Sequence, residues 1–306
     1  MHASASPWIA LLQREWLQHR FGWTLIAGIP LAIALLVVAF GRFESSEMPP
    51  DPDQIRLIAA FAAIAGTAVG LFAIACVTSI IFMAGLARRD HGDRSVEFWL
   101  SLPSGHAPSL AVPLATHLLL VPAAALVVGW LAGQLVCLVL LNRMGGLGEA
   151  VRLPWAELLG ATLTLVLRFL AGLPLAVLWM LPLVLLLVLM NAWFKRWGWV
   201  VLAVAVLALG VLDAFSAGQR WLLDTAARLL QHAAVSLAGA GGTSLGMQAG
   251  DDPAAVLGAL PALAWRDFLA ALGDLASPLF VGALVASALG FWLLVRWRAG
   301  GAGLRD

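Results

Sequence analysis

A chain of 306 residues that is 62% hydrophobic and only 11% charged falls far below the roughly 25% charge of soluble domains. It reads as an all-α polytopic membrane protein, a single domain over 1–306 with small polar parts. The formal net charge of +1 excludes little, but no basic stripe with interleaved aromatics points to nucleic acid.

From the start, Ser6-Pro7 reads as an N-cap followed by proline at the first helical position. A short helix through about Arg20 follows, with Trp8, Ile9, Leu12 and Trp16 on one face and Gln13, Arg14 and Arg20 largely outside it. That pattern predicts an amphipathic helix over residues 1–21 lying on the cytoplasmic surface; partner binding is the secondary reading. Gly22 to Phe40 is the first span, read as a retained anchor because a long polar lead precedes it and many spans follow. Gly41 to Arg56 holds four acidic residues and Pro49-Pro50, and reads as an external loop.

Leu57 to Ala87 is the second span and carries no charge. Its length allows tilt or projection beyond the bilayer. Gly66 and Gly70, four apart, are the small-residue pair that lets helices approach closely. Then comes the one concentrated run of charge, Arg88 to Pro103, inside a cytoplasmic loop over 88–106. It carries Arg88, Arg89 and Arg94, and arginine-rich short loops stay inside. Asp90 or Asp93 can cap a short helix there, and Pro103 ends it. Arg94, Glu97 and Ser101 share a narrow polar strip. Val96, Trp99 and Leu100 form a second face, Phe98 and Leu102 a third. A helix this short is marginal alone. It must bury two apolar faces, one on its own spans and one on a second protein.

The third span runs from Ala107 to near Leu141. Pro108, Pro113 and Pro122 predict a bent or broken start. Asn142 to Pro154 is external, and Trp155 to Gly172 reads as an amphipathic segment at the outer surface. Arg168 within it is an intramembrane charge of the kind that is usually functional; the preferred reading has it snorkel to the outer interface. The fourth span is Leu173 to Phe194. Lys195-Arg196 turns it into a short fifth span, Trp197 to Leu212. Asp213 to Asp274 is an external helical region of two pieces, Gly218 to Ala238 and Asp252 to Asp274, around a Gly-rich joint. Leu275 to Val295 is the sixth span. Segments assigned to the cytoplasm hold ten basic residues against five acidic, whereas external ones hold seven against twelve, with Arg168 counted in neither. Six spans with both termini inside satisfy the positive-inside rule.

Little else suggests chemistry. Cys76 and Cys137 lie in apolar runs and read as small buried hydrophobes, with no disulfide framework. The single lysine, Lys195, follows no glycine loop, so the chain has no P-loop of its own. The histidines are scattered. His117 alone lies within a span; it reads as a hydrogen-bonded span histidine before a metal or haem ligand. Asp213 and Asp274 mark the water boundary or hold a cation, the boundary being preferred. No acid/base pair converges within the spans, and no metal site is expected.

Asp93-Arg94-Ser95, Phe98-Trp99 and Ser101-Leu102-Pro103 together resemble the cytoplasmic coupling loop of ABC-type transporter permeases of the type-2 exporter class. Trp179 to Arg196 is similar to that family's Trp/Pro span with a basic turn, and Leu275 to Arg298 to its last span and basic tail. The resemblance implies a permease subunit in a bacterial cytoplasmic (inner) membrane that pairs with a second permease copy. It implies that Asp93, Arg94, Ser95, Phe98, Trp99, Leu102 and Pro103 couple it to a separate ATP-binding subunit. ATP and Mg²⁺ then sit on that partner, and this chain binds no cofactor. The alternatives are an intramembrane enzyme acting on lipid and a non-catalytic sensor or assembly subunit.

Overall fold

A computed structural model describes residues 7–41, 52–86, 105–215, 221–239 and 253–299. The described residues form helices and no strand. The cause is general: a bilayer offers no water to backbone amides and carbonyls, so each must be satisfied within its own helix.

The helices are α1 (Pro7–Phe40), α2 (Pro52–Ala84), α3 (His106–Met144), α4 (Trp155–Phe194), α5 (Gly198–Phe215), α6 (Trp221–Ala238), α7 (Pro253–Gly273) and α8 (Pro278–Ala299). Four of them begin on a proline: α1, α2, α7 and α8. Its fixed φ suits the first turn and its missing N–H costs nothing there. Within α3, residues Thr116–Leu120 form a π-helical turn between two α-helical stretches. Proline-rich sequence therefore perturbs the start of α3 without breaking it.

Among the described residues, six helices are long and apolar enough to cross a membrane: α1 to α4, α7 and α8. The number equals the expected one, but the membership differs. α5 is shorter, and Pro253–Ala276, from the expected external region, has span-like composition. Two other expected boundaries vanish. Residues 7–20 run without a break into the first span, and Trp155–Phe194 is one rod of 40 residues. At about 1.5 Å per residue such a rod exceeds the ~30 Å hydrocarbon core, so it tilts or projects.

The packing follows α4 from end to end. At its start, Leu158 and Ala161 meet Leu57 and Ile64 of α2, Cys137 and Leu141 of α3, and Leu257 and Leu260 of α7. Midway, Trp179 meets Leu229 and Ala233 of α6 and Phe280 and Ala283 of α8. At its end, Leu185 and Val188 meet Met83, Leu110 and Leu294. Thus α7 and α8 run in series along α4, in its direction, as two pieces of one passage. α6 runs against it. The ends of the α2–α3 connection therefore share one end of the bundle with the α4–α5 turn and the C-terminus of α8.

α2 and α3 approach most closely. A Cβ at Gly129 would lie 2.8 Å from the Ala68 Cα, and one at Gly133 2.9 Å from the Ile64 Cα. The pair that brings these helices together is thus Gly129/Gly133 on α3. Gly66 and Gly70 face no neighbour within 4 Å and instead line a groove of about 300 Å³ between α1 and α2.

Candidate functional site

α1 is amphipathic with its faces exchanged relative to a surface helix. Trp8 and Trp16 are 51% and 56% exposed, while Leu11, Arg14 and Glu15 are buried. In lipid the apolar stripe can face outward, and charge is driven to the protein interior. Glu15 is completely buried there. An unpaired carboxylate in such a place would cost several kcal/mol; here the Arg14 guanidinium donates to Oε1 at 3.0 Å.

The other oxygen, Oε2, faces two imidazoles. His19 lies one turn on from Glu15, on the same helix face, with Nε2 3.9 Å from Oε2. His117 comes from the π turn of α3, with Nε2 3.6 Å from the same oxygen. π turns insert one extra residue into a helix and occur often at functional sites. Both separations exceed hydrogen-bond length. His117 is fully buried, and neither of its ring nitrogens has a hydrogen-bond partner. This corrects the expectation of a hydrogen-bonded span histidine. It also corrects the reading that no acid/base pair converges within the spans, because Glu15 lies in a helix continuous with the first span. Phe82 and Trp23 wall the cluster, with ring centroids 5.6 and 5.8 Å from that of His117. A carboxylate and two imidazoles so placed can exchange a proton or ligate a cation.

His117 also lines a cavity of about 250 Å³ bounded by α2, α3, α4 and α6. The walls are apolar apart from the His117 ring, the Cys76 thiol and the Ser79 hydroxyl, whose oxygen is buried without a hydrogen-bond partner. Apolar clefts with a few polar groups are the usual form of small-molecule sites.

Arg168 does not snorkel. It is 8% exposed, and its guanidinium donates to the carbonyls of Ser236 at 2.6 Å and Val235 at 3.3 Å. It caps the last turn of α6, where helix carbonyls run short of backbone donors; the Val235 carbonyl also accepts from the Gly239 N–H at 2.8 Å. Gly172, one turn along α4, has no side chain to obstruct the Ser236 carbonyl. Gly239 then ends α6 with φ of +90°, the left-handed conformation that glycine adopts without strain. Phe268 of α7 presents its ring 5.8 Å from the guanidinium carbon. Asp274 has a partner, His232 Nδ1 at 3.3 Å, and the His232 ring stacks on buried Trp179 at 4.4 Å. The Asp213 side chain and the whole coupling segment, including Asp93, Arg94, Ser95, Phe98, Trp99, Leu102 and Pro103, lie outside the described residues.

No family model, curated protein or solved structure matches this chain.

The Glu15–His19 spacing carries a faint signal in the sequence, since residues four apart on a helix meet. His117 carries none, because its approach depends on how α1 and α3 are rotated.

Proposed function

We propose that the chain is the membrane-spanning permease subunit of an ATP-driven exporter, working as a dimer and coupled to a separate ATPase through residues 93–103. The observation that carries this reading is where the charged insert is tied. It joins α2 to α3, the two helices held in backbone contact at Gly129 and Gly133. Those helices also supply Cys76, Ser79 and His117 to the wall of the apolar cavity. A partner that displaced the insert would pull on both helices together and deform the cavity between them and α4. The sequence pattern from Asp93 to Pro103 and the lack of a P-loop in the chain support a partner that hydrolyses ATP.

Phe98, Trp99 and Leu102 are the docking anchors, and buried aromatics of this kind contribute about 2 kcal/mol or more each. Trp99→Ala is expected to abolish transport while membrane insertion and yield stay unchanged. The test is a mild-detergent purification of the parent and Trp99→Ala proteins with co-purifying chains identified by mass spectrometry. A P-loop ATPase recovered with the parent and lost from the variant supports the reading. A well-expressed Trp99→Ala protein with normal transport overturns it.

The intramembrane-enzyme reading gains one observation, the convergence of Glu15 and His117. It predicts turnover by the purified chain in lipid without ATP.

A further inference from the structure

The Glu15–His19–His117 cluster has the geometry of a transition-metal shell, and we infer that it binds a first-row divalent cation of the Zn²⁺ class. The ligand atoms are a carboxylate oxygen and two imidazole nitrogens, all within 4.8 Å of one another. Zn–N and Zn–O bonds of about 2.0–2.2 Å place tetrahedral ligands about 3.3–3.6 Å apart. The two separations from Glu15 Oε2, 3.6 and 3.9 Å, lie near that spacing, and the two imidazole nitrogens, within 4.8 Å of each other, draw together on binding. Imidazole and carboxylate donors suit Zn²⁺ and its neighbours rather than Mg²⁺ or Ca²⁺, which prefer all-oxygen shells.

Two further features point to a ligand at this place. His117 is wholly buried with no hydrogen bond at either nitrogen, a costly state for an imidazole unless something binds it. Arg14 holds Glu15 by Oε1 and so turns Oε2 toward the imidazoles. Orientation of a ligating carboxylate by an outer hydrogen bond is typical of metal sites. Three protein ligands leave a fourth position for water or another small ligand.

The cation has a structural consequence. No residue in the apolar window of α1 is buried in the bundle, so packing holds that part of the helix weakly. A metal shared by Glu15, His19 and His117 would pin α1 to α3 near the ends of the α2–α3 connection. The inference is independent of the transport reading, because it concerns the isolated chain and needs neither ATP nor a partner.

The full chain, purified in nanodiscs with a histidine-free affinity tag and stripped by chelator, is dialysed against Zn²⁺ or Co²⁺. Metal is counted by mass spectrometry. The parent is expected to retain about one Zn²⁺ per chain and to give the intense visible absorption of four-coordinate Co²⁺. Glu15→Gln and His117→Ala should each weaken binding more than about 10-fold, a loss that even an indirect partner of a metal can cause. His106→Ala should leave binding unchanged. Zn²⁺ should raise the unfolding temperature of the parent but not of Glu15→Gln, because a ligand stabilises only the state that binds it. His117→Cys provides a second arm should His117→Ala fold poorly: it should keep the metal and add a thiolate-to-Co²⁺ charge-transfer band. A stripped parent that takes up no more Zn²⁺ than Glu15→Gln overturns the inference. So does a His117→Cys protein that shows no such band.

Discussion

Arg168 shows how a charge is accommodated inside an apolar bundle. Its guanidinium is planar with several donors, so it can serve two neighbouring carbonyls at once, those of Val235 and Ser236. Those carbonyls lie in the last turn of α6; that of Val235 also accepts from the Gly239 N–H at 2.8 Å, so the guanidinium adds to the cap there. Replacing Arg168 with Met should therefore destabilise the protein by about 2 kcal/mol, the scale of a hydrogen bond from a charged donor. Arg168→Lys should recover only part, since an ammonium cannot span both carbonyls in the same way. Thermal unfolding of the three proteins in one detergent checks the order: parent, then Lys, then Met. An Arg168→Met protein as stable as the parent would mean that the cap contributes nothing. An arginine in an amphipathic stretch ordinarily snorkels to the interface. The partner of Arg168 stands 68 positions further along the chain, and no local spacing reveals it.

At the scale of elements, two glycine pairs with the same spacing have opposite roles. Gly129 and Gly133 bring α3 against the α2 backbone, whereas Gly66 and Gly70 border a groove. Gly129→Val and Gly133→Val should each cost about 1–3 kcal/mol or more, because backbone atoms cannot move aside as a flexible side chain can. Gly66→Ala and Gly70→Ala should be close to neutral or slightly stabilising through helix propensity. Unfolding midpoints of the four variants decide it; equal losses at both pairs would contradict the assignment. Sequence spacing shows only that a close approach is possible. Which pair makes it depends on the face each helix turns to its neighbour. The π turn adds to this, since one extra residue rotates the helix beyond it by about 100° and so sets where His117 points relative to the rest of α3.

On the scale of the molecule, α5 with α6 and α7 with α8 are expected to add two passages to those of α1 to α4, six in all and alternating in direction. The expectation that follows concerns sidedness. With Cys76 and Cys137 replaced by Ala, single cysteines at Gly41 and Gly148 should react with a membrane-impermeant maleimide from one side of sealed vesicles. Cysteines at Gly105 and Lys195 should react from the other. The arginine distribution predicts that the second side is the cytoplasm. Labelling of Gly148→Cys and Lys195→Cys from the same side would overturn the arrangement, because α4 must then fail to cross.

Composition and hydropathy were enough to show a helical membrane protein with six long apolar helices, though not which six. The sequence also located the two helices of the 213–274 region to within a few residues, Trp221–Ala238 and Pro253–Gly273. Those properties sum many small contributions of the same sign over some 20 residues, so no single position can mislead them. The tertiary structure alone decided that α1 turns Glu15 inward, that Glu15 and His19 meet His117, that Arg168 caps α6, and that Asp274 pairs with His232. Each of these depends on the rotation and register of one rigid rod against another. A shift of one residue swings a side chain by about 100° around its helix, and composition, hydropathy and charge balance are almost unchanged by such a shift.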